Sequence, residues 1–321
     1  MDEALPSSRH PGAWSAVALK LERNAMDAVI IECAINGTTS KRSNPHVPVS
    51  PEEIAIDALA CIEAGAAIIH NHIDRYGISE TEAAERYLEG WRPVLAERPD
   101  ALLYPTVHFG EGISYEHLVP LAAAGLRVGL VDPGSVNLGG VDHAGIPQGG
   151  FVYANSFESI GRAFEICREA RIGPSMAIYE PGFLRTALAW WKAGQLPQGA
   201  MIKLYLSTDR GYLGAPFGLP ATRSALNMYL ELLEDCDVPW AVSVVGGDLV
   251  GTDVARAALE AGGHLHLGLE FFAGSRVPTN TELVAEAVAL CEEVGRPVAT
   301  PDQAAQLLDL PRGQPANPAR G

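Results

Sequence analysis

Two histidines one residue apart, in Ile69-His70-Asn71-His72-Ile73-Asp74, carry the strongest chemical signal in the chain. Residues i and i+2 on a strand point to the same side, so an extended run here turns both imidazoles to one face. Two converging imidazoles are costly to bury unless something bridges them, and a divalent metal does so. A second apolar run, His264-Leu265-His266-Leu267-Gly268-Leu269-Glu270, ends on a carboxylate. Two histidines, one carboxylate and an open fourth position form the ligand set of a catalytic zinc; the same donors also accept other divalent ions. An isolated His-X-His is equally compatible with two satisfied core histidines. What favours a metal at His70, His72 and Glu270 is a carboxylate ending another strand at the same face. His264 and His266 share the parity of Glu270 but lie deeper, as core residues, with His266 the one placed to touch substrate or a buried acid.

Such a constellation needs a scaffold that brings distant segments to one end. Apolar runs rich in Val, Ile, Leu and Ala recur at 28–36, 66–72, 102–107, 126–132, 175–180, 201–207, 240–245 and 264–270. Most lack alternation, which fits strands buried on both faces of a parallel sheet. Helices are predicted between them, over 51–64, 80–97, 115–124, 156–171, 182–194, 222–235, 252–262 and 281–294. Ser50-Pro51-Glu52-Glu53 places a capping serine before a first-turn proline and two acids. Gly65, Gly125 and Gly295 are stop signals. Strand–helix pairs in series predict an α/β fold, a closed (β/α)8 TIM barrel, whose strand C-termini carry the site. The barrel domain is expected over 27–310, after an N-terminal extension (1–26) and before a Pro/Gly-rich flexible tail (311–321). A doubly wound open sheet would need a phosphate-binding glycine loop after the first strand, and Ile35-Asn36-Gly37-Thr38-Thr39 is not one. A short last helix over 301–310 is expected at the barrel bottom.

Composition bounds the function. The chain has 321 residues, 47% of them hydrophobic, enough for one large core. A formal net charge of −16 argues against nucleic acid as a partner. No apolar stretch of about 18 residues is free of charges or breakers, so no membrane span is expected. The first residues lack an apolar signal core, and the expected location is cytoplasmic. Cys33, Cys61, Cys167, Cys236 and Cys291 are odd in number and form no CxxC, which reads as reduced, buried thiols.

The segments IECAINGTTS, SPEEIAIDALACIEAGAAIIHNHIDR, VDPGSVNLGG, YEPGFLR, HLHLGLE and GRPVATPDQAAQLL resemble the beta-keto acid cleavage enzymes, also called 3-keto-5-aminohexanoate cleavage proteins. The resemblance runs from about residue 27 to 310. It implies a zinc-bearing barrel, commonly a homotetramer, that takes a beta-keto acid and acetyl-CoA to acetoacetate and a new acyl-CoA. The zinc ligands it implies are His70, His72 and Glu270. It also implies that Thr106 helps hold the substrate carboxylate, and it places Ser135 and Asn137 in the substrate-binding stretch after the fourth strand. This chain departs from the family pattern at several points. His266 stands where the family has an arginine, and Phe271 where it has an aspartate, the pair usually assigned to proton abstraction. Thr39 and Ala177 replace acids, and the loop after the sixth strand reads STDRGYLGAPFGLP. The pattern is that of a divergent branch.

Something must still move a proton. Asp132, ending the fourth strand, is the first candidate, although it could simply cap the Pro-Gly turn that follows. His108, just past the third strand, is the second. Glu180 is the third, or else it orients the helix after it. Arg210, after the sixth strand, could clamp a carboxylate or a CoA phosphate. Glu32 and Lys203 lie inside strands, where charges are expensive unless paired; they are expected to pair with each other or with a neighbour such as His266. The leading function is a Claisen-type acyl transfer. The alternatives are a CoA-independent metal-dependent lyase or hydrolase acting on a keto acid, and a non-catalytic metal- or ligand-binding barrel.

Overall fold

The computed structural model describes residues 28–110 and 112–312. Among them the strands of a barrel alternate with helices: β1 (Ile31–Ala34), α1 (Pro51–Ala64), β2 (Ile68–Asn71), α2 (Glu80–Glu97), β3 (Leu102–Pro105), α3 (Leu118–Ala123), β4 (Val128–Val131), α4 (Phe157–Ala170), β5 (Gly173–Ile178), α5 (Pro181–Lys192), β6 (Met201–Ser207), α6 (Arg223–Leu232), β7 (Trp240–Val245), α7 (Asp253–Glu260), β8 (His264–Leu267), α8 (Asn280–Val294) and α9 (Pro301–Leu307). The parallel ladder runs β3-β2-β1-β8-β7-β6-β5-β4. The first and last strands are neighbours, with Glu32 opposite His266. β3 and β4 approach each other without a ladder, so the TIM barrel is nearly closed. The expected extension, and all but residues 311 and 312 of the expected tail, lie outside the described residues.

Helix boundaries follow their capping chemistry. Ser50 accepts the Glu53 amide while the Glu53 carboxylate takes the Ser50 amide, Pro51 occupies the first turn, and Gly65 closes α1 at φ 118°. The same reciprocal box opens α2 (Ser79/Glu82), α8 (Thr279/Glu282) and α9 (Thr300/Gln303). Such a cap contributes about 1 kcal/mol. At the bottom of the barrel Leu310 fills the space left by two glycines: a Cβ on Gly173 would lie 2.6 Å from Leu310 Cδ2, and one on Gly199 3.0 Å.

Strands differ from expectation at their ends. The ladder of β8 stops at Leu267, and Gly268 then turns the chain at φ 131°. A Cβ there would stand 2.2 Å from the Ala34 carbonyl oxygen, so only glycine fits. Glu270 therefore reaches the mouth from a turn rather than by strand parity. An antiparallel hairpin, Val136–Val141 with Val152-containing Pro147–Tyr153, follows β4. Its Gly139-Gly140 and Gly149-Gly150 pairs make it read as loop. A smaller hairpin joins His108–Phe109 to Ile113–Ser114.

Inside the barrel the two strand charges meet as expected. Lys203 Nζ donates to Glu32 Oε1 at 3.1 Å and to the Tyr104 hydroxyl at 2.5 Å, and that hydroxyl donates to the same carboxylate. His266 Nε2 lies 3.0 Å from Glu32 Oε1. Burial alone would push the Glu32 carboxyl up, but His266 and Lys203 outweigh it and hold it well below the usual range. On the outer side of the same wall Leu204, Leu206, Val242 and Val244, each next to an inward position, are at most 1% exposed beneath the helices. Each such aliphatic contributes about 1.5–3 kcal/mol, which holds the barrel wall rigid.

Candidate metal centre

His70 projects from β2 between Ala34 of β1 and Tyr104 of β3, its neighbours in register. His72 follows one residue beyond the ladder, and Asn36 fixes it there. The His72 amide donates to Asn36 Oδ1 at 2.8 Å, and Asn36 Nδ2 donates to the His72 carbonyl at 3.1 Å. The loop after β1 also shapes the candidate third ligand, Glu270. Thr39 Oγ1 donates to the Leu269 carbonyl at 2.9 Å, and the Glu270 amide to the Ala34 carbonyl at 3.1 Å. Gly37 leaves room for the acid itself, since a Cβ there would lie 2.2 Å from Glu270 Cγ.

The three side chains converge. Their ligand atoms lie within 4.8 Å of one another. His70 Nε2 is 3.3 Å from Glu270 Oε2, and His72 Nε2 is 3.3 Å from Oε1. Both ring nitrogens of His72 and Oε2 of Glu270 are buried without a hydrogen-bond partner, a cost that an ion would relieve. A tetrahedral ion with bonds of about 2.0–2.1 Å separates its ligand atoms by about 3.4 Å, which matches the His70 Nε2–Glu270 Oε2 separation. Burial, with His72 and Lys203 nearby, brings the His70 imidazole down to about 4 despite the opposing pull of Glu270. Glu270 is buried, yet His72 and His70 hold it well below the carboxylate range. A neutral imidazole and an ionised carboxylate are the ligating forms. The residues present fit a divalent ion.

The other predicted residues divide by position. Asp132 lies just past β4, 4% exposed, and Tyr153 donates to its Oδ2 at 2.5 Å. Burial pushes its carboxyl up to about 6, with Tyr153 and Lys203 pulling the other way, and Oδ1 has no partner. Glu180 immediately precedes α5 and accepts the Gly218 amide at 3.0 Å. His108 is buried on the small hairpin, its ring 6.0 Å from that of His117. His117 Nε2 in turn lies 2.8 Å from the Thr106 carbonyl, and the Thr106 amide donates to the Tyr87 hydroxyl at 3.2 Å. Ser135 Oγ exchanges hydrogen bonds with the Asn155 backbone at 3.1 and 2.9 Å. Asn137 is exposed on the larger hairpin and Arg210 is exposed in the turn after β6. His266 is fully buried against Glu32, with Phe271 at 4.8 Å between ring centroids.

Several residues that shape the centre carry no sequence signal. Tyr212 donates to Glu270 Oε1 at 2.6 Å, yet in the sequence it is a lone tyrosine in a glycine-rich loop. Tyr104 stacks on His70, and Tyr179, Tyr205 and Phe271 continue an aromatic wall, with centroids 5.0 Å (Tyr179–Tyr205) and 5.3 Å (Tyr205–Phe271) apart. Only Asn36, next to a glycine at the end of a strand, could have been suspected of a structural role.

Residues 28–310 match the profile of the beta-keto acid cleavage enzyme family. A 3-keto-5-aminohexanoate cleavage enzyme of Fusobacterium nucleatum is 28% identical over 291 residues, covering 89% of this chain and 99% of that protein. A 3-oxoadipate:acetyl-CoA acetyltransferase of Cupriavidus necator is 30% identical over 292 residues, covering 88% and 95%. Among solved structures, the apo form of ObcA superposes with a TM-score of 0.61 at 16% identity, over 83% of this chain and 66% of that one, a likeness of fold.

Proposed function

The chain belongs to the beta-keto acid cleavage enzyme family, and on that premise we propose that it converts a beta-keto acid and acetyl-CoA to acetoacetate and a new acyl-CoA at a zinc centre held by His70, His72 and Glu270. The convergence of those three side chains carries the reading. Relatives named for keto acid cleavage and for acetyl-CoA-dependent transfer support the reaction and the co-substrate. A divalent ion bound there supplies a Lewis acid that favours negative charge developing on a substrate oxygen.

Proton transfer falls to Asp132. Its buried, unpartnered Oδ1 accepts a proton from the carbon between ketone and carboxylate. That carbon bonds the acetyl carbonyl and CoA leaves as thiolate. The thiolate then takes the original acyl group as the old carbon–carbon bond breaks, and Asp132 returns the proton to the departing acetoacetate. Asp132 is favoured over Glu180, which is engaged by Gly218, and over His108, which packs beside His117. Thr106, Ser135 and Asn137 bind the keto acid, and Arg210 clamps an anionic group at the rim. His266 acts from below, through Glu32.

A homotetramer is part of the same proposal, supported by Ile146, Phe151, Val152 and Phe157, which are 48–81% exposed around the larger hairpin. The buried cysteines, none of which forms a disulfide among the described residues, support a reducing, cytoplasmic setting. Among the described residues no helix is long and apolar enough to cross a membrane.

The test is to incubate zinc-loaded protein with a panel of beta-keto acids, with and without acetyl-CoA, following acetoacetate and acyl-CoA. Turnover that ignores acetyl-CoA would replace acyl transfer by a lyase or hydrolase. A metal-loaded protein inert to the whole panel would point to a binding barrel.

A further inference from the structure

Glu270 has two oxygens with different surroundings. Oε2 is buried without a hydrogen-bond partner and stands 3.3 Å from His70 Nε2, whereas Oε1, 3.3 Å from His72 Nε2, also receives the Tyr212 hydroxyl at 2.6 Å. A carboxylate with both oxygens free can chelate an ion through both and fill a position that substrate needs; a proton donor on one oxygen leaves the other as the better ligand.

Tyr212 is held in place by a loop tied to three separate parts of the fold. Thr208 Oγ1 donates to the Gly246 carbonyl at 2.6 Å, the Ala215 amide to the Gly139 carbonyl at 2.9 Å, and the Gly218 amide to Glu180 at 3.0 Å. Ser207 clasps both backbone groups of Phe217, Oγ to O at 2.5 Å and N to Oγ at 3.2 Å. Gly211 sits at φ 48°, where a Cβ would be 1.8 Å from the Ala215 carbonyl oxygen, so the loop folds back on itself more tightly than any other residue permits. The Tyr212 ring lies 6.3 Å from Phe271, the residue after Glu270. The loop thus presents the hydroxyl at a fixed point.

We propose that Tyr212 is a positioning residue that reserves one oxygen of Glu270, so that the acid offers the ion a single donor and one face of the centre stays open to the keto acid. The inference rests on the metal reading above. It also gives Glu180 a role in building the site, as an anchor of the loop that delivers Tyr212.

The experiment is Tyr212→Phe, which deletes one oxygen. Zinc affinity is measured by chelator competition on the full chain, and thermal unfolding of the metal-free protein checks the fold. We expect zinc still to bind, and the visible absorption of the cobalt(II)-substituted protein to fall at least twofold as the acid becomes a two-oxygen ligand. An unaltered cobalt spectrum overturns the assignment. If the metal-free Phe variant is unfolded, Ser207→Ala is read instead: it unclasps the loop while leaving Tyr212 intact, and the same twofold limit on the cobalt absorption decides. A parent chain that binds no divalent ion would overturn the metal reading itself, whereas normal binding by the parent with indifference to Tyr212→Phe removes only the role of the tyrosine.

Discussion

Tyr104 lies over His70 with ring centroids 4.4 Å apart and planes 29° from parallel, and its carbonyl oxygen stands 3.3 Å from His70 Nδ1. The two contacts together set the imidazole. With Nδ1–H directed at the carbonyl, the Nε2 lone pair faces Glu270 and is free to ligate. Because Lys203 and Glu32 hold the Tyr104 hydroxyl, one ring is shared between the buried charges and the metal centre.

Removing any of the three ligands should abolish tight metal binding. His70→Ala, His72→Ala and Glu270→Ala are each expected to lower kcat/KM by a factor on the order of 10³, about 4 kcal/mol of transition-state stabilisation. Elemental analysis beside turnover checks this, and a variant that keeps both stoichiometric metal and activity would remove its residue from the ligand set.

Asp132→Asn should lower kcat by about 10²–10⁴. In the parent, kcat/KM should rise with pH through about 6, where burial has placed the Asp132 carboxyl, and the variant should lose that limb. Stability runs the opposite way. The folded carboxyl binds its proton more readily than the usual 3.8, so its ionisation costs the fold above about pH 6. That cost fades as pH falls from about 6 toward 3.8, and it amounts to a few kcal/mol at most. The Asn variant should therefore melt higher than the parent at pH 8 and lose the advantage near pH 4; an identical melting difference at both pH values would contradict the shift.

Lys203→Met strands the Glu32 carboxylate in the barrel core. The expected loss is about 3–5 kcal/mol in urea denaturation, most of it recovered by adding Glu32→Gln. Additive losses in the double variant would show that the two groups are not coupled.

Gly37→Ala should damage the centre without touching a ligand. The new methyl group would overlap Glu270 Cγ, and φ 56° is strained for alanine. Zinc affinity is expected to fall by about tenfold or more, and isothermal titration giving a parental value would mean that the loop yields at no cost.

The His-X-His pair was legible because strand parity is a two-residue rule, and it holds for His70 on β2 with His72 just past its end. The start of α1 was legible because Ser50 stands before a first-turn proline and two acids, and the structure makes Glu53 the partner that completes the box. That Glu270 joins the two histidines was legible but for the wrong geometric reason, since Gly268 breaks the strand before it. The larger hairpin was hidden by its glycines. Tyr212 and Tyr104 could not be read at all, because each acts through a contact with a residue distant in sequence.

The seam between β1 and β8 has a consequence for the order of events during synthesis. His70 and His72 leave the ribosome early, while Glu270, Leu269 and the Gly268 turn that packs on Ala34 come from the last part of the chain. A nascent polypeptide can offer an ion only two imidazoles until its final barrel strand has emerged and docked. A cation held by all three side chains can therefore be captured only by the completed ring.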